Sequence, residues 1–220
     1  MLRVTRPGGV RAKICGLRTR DDVDAVARAG AAYMGLVFYP HSPRHVELDD
    51  ARDLALHAPP GLAKVALLVD ADDAVVDAVT GTVPLDMLQL HGGESPARVR
   101  ALRDRTGLPV MKVVSLRDAR DVAALDRYEG VADQVMVDAK PPDGAALPGG
   151  NGIGFDHALI AGRDWKGPWM LAGGLNASNV REAVRLTGAR QVDLSSGVES
   201  SPGHKDAAMI ADFCTALTGL

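Results

Sequence analysis

The chain has 220 residues, 46% of them hydrophobic and 24% charged, with a net charge of -3. That balance describes one globular domain with a sizeable core, and it excludes the basic footprint that nucleic acid or an anionic membrane would require. No apolar run approaches the roughly 20 residues of a membrane span, and the first nine residues carry no apolar signal region, so a cytoplasmic protein is expected.

Residues 1–9 have turn chemistry without periodicity and read as a loose leader to a single domain over 1–220. The stretch Val-Arg-Ala-Lys-Ile-Cys at 10–15 predicts the first strand. Thr19 can cap a following helix, with Asp21 and Asp22 in its first turn and Gly30 at its end. The pattern then repeats. Strands are expected over 33–38, 63–69, 86–90 and 109–114. Helices are expected over 49–57 and 72–80, after the capping pair Ser95 and Pro96, and over 118–127.

A sixth strand covers 134–138. The loop after it, 139–154, is long and rich in Pro and Gly, as active-site covers and disordered insertions both are. A short helix follows Asp156. Two late apolar runs then break into glycine turns, Trp-Met-Leu-Ala-Gly-Gly-Leu-Asn at 169–176 and Gln-Val-Asp-Leu-Ser-Ser-Gly-Val-Glu at 191–199, and a helix is expected after each. An amphipathic helix over 205–217 closes the chain. About eight strand–helix units, with strands apolar on both faces, predict an α/β fold: a single (β/α)₈ TIM barrel of eight parallel strands. A doubly wound open sheet is the alternative.

Functional side chains of such a barrel gather at the C-terminal ends of its strands. Those ends hold Cys15, the loop after Phe38, His91, Asp138 and the two glycine turns. Glycine backbones with free N–H groups, each followed by a helix N-terminus, suit a phosphate; two ordinary tight loops would look the same. Cys15 is either a small buried hydrophobe or a base or nucleophile. Lys13 shares its strand face and would favour the thiolate. Asp138 ends an apolar strand, where burial suits a proton-donating carboxyl; it could equally cap the next turn. Arg44, in a proline-restricted loop, suits bidentate binding of a carboxylate, though a surface arginine is the default. His91 is a hydrogen-bond donor at the mouth or packs on Gly92 and Gly93. Cys15 and Cys214 form no metal-type cluster, there is no His-x-His pair, and no G-x-G-x-x-G opens a first unit, so neither metal nor cofactor is expected.

Six motifs together carry a family resemblance: Lys-Ile-Cys-Gly at 13–16, Gly-Leu-Val-Phe-Tyr-Pro-His-Ser-Pro-Arg at 35–44, Leu-Gln-Leu-His-Gly at 88–92, Val-Asp at 137–138, Leu-Ala-Gly-Gly-Leu-Asn at 171–176 and Val-Asp-Leu-Ser-Ser-Gly-Val-Glu-Ser-Ser-Pro-Gly at 192–203. In this order they closely resemble the phosphoribosylanthranilate isomerases of tryptophan biosynthesis, from about residue 11 to the C-terminus. The resemblance implies that Cys15 is the general base and Asp138 the general acid of an Amadori rearrangement that needs no cofactor. It implies that Arg44 binds the anthranilate carboxylate and that Gly173, Gly174, Ser195, Ser196 and Gly197 hold the phosphate. His91 and Asp193 are also counted as substrate-binding. The expected partner is a phosphorylated small molecule, and the expected assembly a monomer or homodimer.

The chain departs from the family pattern at two places. Gly150, Asn151 and Gly152 stand where Gly-Thr-Gly is common, and Asp70 where Asn is more usual. Two other readings are weighed: the related isomerase of histidine biosynthesis, which usually has a carboxylate at the position of Cys15, and a non-catalytic phosphosugar-binding barrel.

Overall fold

The computed structural model describes residues 9–140, 147, 149, 150, 152 and 154–220. The leader expected at 1–9, apart from Gly9, and nine positions of the expected long loop and its glycine signature (141–146, 148, 151 and 153) lie outside the described residues.

Eight parallel strands close on themselves: β1 (Arg11–Cys15), β2 (Tyr33–Phe38), β3 (Ala63–Leu68), β4 (Met87–Leu90), β5 (Val110–Leu116), β6 (Gln134–Ala139), β7 (Trp169–Leu171) and β8 (Gln191–Leu194). β8 returns to pair with β1, setting Lys13 beside Asp193. The helices are α1 (Arg20–Ala29), α2 (Leu48–His57), α3 (Asp73–Thr82), α4 (Pro96–Thr106), α5 (Ala123–Asp126), α6 (Val180–Thr187) and α7 (Ala207–Ala216). The closed barrel expected from the strand–helix count is the fold observed. Among the described residues no helix is long and apolar enough to cross a membrane.

Local chemistry sets many of the boundaries. Thr19 and Asp22 form a reciprocal capping box at α1, and Gly30 ends that helix at φ 78. Ser95 accepts from the Arg98 N–H ahead of Pro96, and a cap of this kind contributes about 1 kcal/mol. Strand alternation separates two environments. Val110, Val114, Val135, Val137 and Leu171 join the main core under the helices. Met111, Val113, Met136, Met170 and Ala172 form a second buried cluster on the opposite face of the same strands.

Two expectations are corrected. Only α5, four residues long, forms in the span 118–127. The Asp121 carboxylate accepts from the Arg117 N–H and Asp118 from the Arg120 N–H, and the backbone after them closes in successive three-residue turns, Asp121 N–H to Asp118, Ala124 N–H to Asp121 and Leu125 N–H to Val122, instead of the four-residue ladder of a longer helix. A full helix does not directly follow the second glycine turn either. A 3₁₀ turn (Ser196–Val198) comes first, then a hairpin of β9 (Glu199–Ser201) and β10 (His204–Lys205), and only then α7. The short helix expected after Asp156 is present as a 3₁₀ helix, His157–Ile160, with Asp156 as its cap.

Candidate active site

One pocket opens at the C-terminal ends of the strands, and it gathers the residues singled out in the sequence: Cys15 from β1, Arg44 after β2, His91 after β4, Asp138 from β6, Gly173 and Gly174 after β7, and Asp193, Ser195, Ser196 and Gly197 at the end of β8. Leu147, Gly149, Gly150 and Gly152 also line it, so the described part of the sixth loop does lie over the site. A β-carbon on Gly149 would run into both His91 and Asp138, so only glycine lets that loop approach so closely.

Cys15 lies in an apolar bed with Val37 and Leu67 and is 4% exposed. Burial raises its thiol above the ordinary range. Lys13, by charge and hydrogen bond, and Lys205, by charge, pull the other way without overcoming burial, and Asp193 adds to the rise. The thiolate expected from the neighbouring lysine is therefore not the resting form: desolvation of the charged state outweighs the cations. Lys13 itself is fully buried. Burial works against its charge, but Asp193 and Cys15 more than offset this and leave its pKa raised.

The Lys13 Nζ donates to Asp193 Oδ1 at 2.7 Å. Asp193 lines the pocket and is also the partner of this buried lysine, so neither charge is left buried without its opposite. Asp138 accepts from the Ala139 N–H at 2.8 Å through Oδ1, and its Oδ2 stands 3.3 Å from His91 Nε2. His91 thus faces the carboxyl group across the pocket wall, and it does more than pack on its glycines. Among the described residues its Nε2 makes no hydrogen bond, and neither does the buried Oε1 of the neighbouring Gln89.

The glycine turns form the other end. Gly173 and Gly174 adopt φ 92 and 64, and a β-carbon on Gly173 would stand 2.9 Å from the Ala139 nitrogen. Gly197 packs so tightly that a β-carbon would overlap the Leu175 carbonyl oxygen. Ser195 donates its hydroxyl to the Cys15 carbonyl at 2.9 Å, binding the turn after β8 to the strand that carries the thiol. Among the described residues, no group of three or more His, Cys, Asp or Glu could hold a metal ion.

Arg44 lines the pocket from a buried position. It is 6% exposed, and its guanidinium is forked onto Glu199, with Nε to Oε1 and Nη2 to Oε2 both at 2.8 Å. Nη2 also donates to the Gly150 carbonyl at 3.3 Å, which among the described residues leaves Nη1 without a hydrogen bond. Glu199 also accepts from Lys205 at 2.6 Å, and Lys205 donates onward to the Ser195 carbonyl and hydroxyl. Burial opposes the charge of Glu199, but its two cations bring its pKa down to about 2; the more enclosed Lys205 is held below its ordinary value because burial weighs more on it than Glu199 offsets.

Sequence reasoning missed Gln89, which lines the pocket, and Glu199, which holds Arg44 and Lys205 from behind it. Both sit inside motifs already noted, and the available signal was a charged or amide side chain at a strand end. Asp70, the residue that departs from the family pattern, has φ 47 and accepts from the Gly93 N–H at 2.7 Å. Either Asp or Asn tolerates that backbone and can accept that bond.

Barrel and pocket together define the class: a (β/α)₈-barrel enzyme with its site at the C-terminal ends of the strands. The chain belongs to the family of N-(5'-phosphoribosyl)anthranilate (PRA) isomerases, whose model matches residues 12–216. It is 65% identical over 205 residues to the N-(5'-phosphoribosyl)anthranilate isomerase of Cereibacter sphaeroides, covering 93% of this chain and 97% of that protein. The crystal structure of phosphoribosyl anthranilate isomerase from Thermotoga maritima superposes with a TM-score of 0.87 at 34% identity, over 96% of this chain and all of that one. A phosphoribosyl anthranilate isomerase solved in complex with reduced 1-(o-carboxyphenylamino)-1-deoxyribulose 5-phosphate gives 0.84 at 33% identity, with the same coverage of each chain.

Proposed function

We propose that the chain converts N-(5-phosphoribosyl)anthranilate to 1-(2-carboxyphenylamino)-1-deoxyribulose 5-phosphate in tryptophan biosynthesis, with Asp138 as general acid and Cys15 as general base. The observation that carries this reading is the placement of a thiol and a carboxyl group, from β1 and β6, on the walls of one pocket whose far end is a pair of glycine turns. Asp138 delivers a proton to the furanose ring oxygen as the bond from that oxygen to C1 breaks, leaving a protonated imine. The imine acidifies C2. The Cys15 thiolate takes the C2 proton, and the electron pair forms the carbon–carbon double bond of an enolamine. Tautomerisation moves the hydroxyl proton away and a proton onto C1, so that C1 is reduced and C2 oxidised within one molecule.

The thiol must lose its proton before this step. Lys13 and Lys205 favour that loss, and the positive imine adds a third cation to the pocket. Acid and base terms each supply roughly 10²–10⁴-fold, and a fixed phosphate presents the sugar to both groups. Gly173, Gly174, Ser195, Ser196 and Gly197 take the phosphate in this reading. Arg44 faces the anthranilate carboxylate, and His91, beside Asp138 at the mouth, contacts the substrate. Lys13–Asp193 is a supporting pair. All these groups lie in one chain that reads as a single domain, so a monomer or a homodimer suffices; a free thiol and a phosphorylated substrate suit the cytoplasm.

Incubation with phosphoribosylanthranilate while anthranilate-type fluorescence is followed tests the reading. Steady loss of fluorescence is expected. Turnover at background would overturn it in favour of a binding barrel.

A further inference from the structure

The network behind Arg44 extends from one end of the pocket to the other. Glu199 opens β9, and the hairpin register sets Lys205 of β10 opposite it. The hairpin is held against the loop of Arg44 at Gly203, where a β-carbon would stand 2.6 Å from the Pro43 carbonyl oxygen. From the Glu199 carboxylate one arm reaches Arg44, whose fork it fills. The other reaches Lys205 and through it Ser195, whose hydroxyl is bound to the Cys15 carbonyl. The side chains of Glu199 and Lys205 are 3% and 1% exposed, so neither charge is dispersed by water.

We propose that Glu199 is a positioning residue for the reaction: by holding Arg44 and Lys205 on one carboxylate it fixes the carboxylate-binding and phosphate-binding ends of the pocket relative to each other, and it limits how strongly either end binds a lone anion. The inference rests on the reading of Arg44 and the glycine turns given above. A single negative charge divided between two cations lowers the positive potential that each offers to an anion. The same two-armed carboxylate prevents Arg44 and Ser195 from moving apart independently. A substrate anionic at both ends then binds in one register, while inorganic phosphate gains little.

Glu199→Gln keeps the shape and removes the charge. Turnover of phosphoribosylanthranilate should fall about a hundredfold, the cost of a misplaced clamp, while inorganic phosphate binds several-fold more tightly by calorimetry. A merely structural Glu199 would weaken both together, and that parallel loss overturns the inference, as does unchanged turnover. If the variant does not fold, Lys205→Met asks the question from the other end. Glu199 would then neutralise Arg44 alone, so anthranilate, which has no phosphate, should bind more weakly along with inorganic phosphate. Loss of phosphate affinity alone would overturn the proposal. The unmodified protein run alongside separates the two levels: if it fails to turn over phosphoribosylanthranilate, the functional reading itself has failed.

Discussion

The β-carbon that Gly35 lacks would stand 2.7 Å from the Cys15 Sγ and 3.1 Å from the Lys13 Nζ. Gly35 is the register partner of Cys15 in the adjacent strand, so its missing side chain is the space in which thiol and ammonium meet. A glycine inside a strand usually marks a close approach, and here what approaches is the base of the proposed reaction.

Gly35→Ala should therefore displace the thiol. Overpacking of this kind costs about 1–3 kcal/mol of stability, and a shift near 1 Å in the reacting group costs about a hundredfold in kcat. Thermal melts and steady-state kinetics check both. Full activity in a folded Gly35→Ala protein would show that the position of the thiol is not critical.

For the acid and base themselves, Cys15→Ala and Asp138→Asn should each lower kcat by about 10²–10⁴-fold with little change in KM. Both groups act on protons that move only in the transition state. Preserved kcat with a raised KM would assign them to binding instead.

The pH profile follows from the buried thiol. Its pKa lies above the ordinary value of 9.0, so the neutral form dominates below that point and the thiolate grows above it. Alkylation of Cys15, which needs only the thiolate, should accordingly speed up with pH through the alkaline range, and Lys13→Met should move that rise to still higher pH. Iodoacetamide modification should be slow at pH 7 at both cysteines, because burial also places Cys214 at about 11. A product analogue should shield Cys15 alone. A Cys15 labelling rate that is flat from pH 7 to 10, or rapid labelling at pH 7, would mean that the thiolate is already formed at rest.

At the phosphate end, inorganic phosphate and sulfate should inhibit competitively. Gly174→Val forces a branched side chain into φ 64 and should weaken phosphorylated ligands by at least about tenfold, since the left-handed backbone alone costs roughly 1–2 kcal/mol. Gly197→Ala should lose stability as well as affinity, because the Leu175 carbonyl must move. Unchanged affinity of the Gly174→Val protein for a phosphorylated product analogue would place the phosphate elsewhere.

Much of this molecule is local in origin. Thr19, Ser95 and Gly30 mark helix ends by chemistry acting within a few residues, and a run such as 33–38 reads as a strand because apolar continuity demands burial on both faces. Glycine turns and strand ends can be counted along the chain, so the barrel and the membership of its pocket were legible in the sequence. The missing length of helix near α5 was less so, because its backbone closes in successive three-residue turns that apolar spacing does not distinguish from a helix.

Partnership was decided only by closure of the barrel. Lys13 and Asp193 are 180 residues apart in the chain and 2.7 Å apart in space, and nothing in either neighbourhood specifies that Asp193 serves a lysine. Arg44 is likewise shown to be held by Glu199 only once the hairpin folds back over the Pro43 loop. The protonation of Cys15 belongs here too: adjacent cations predict a thiolate, but the depth of burial, set by strands brought together around it, leaves the thiol neutral. Charge and desolvation depend on everything within a few ångströms, and only tertiary structure determines what that is.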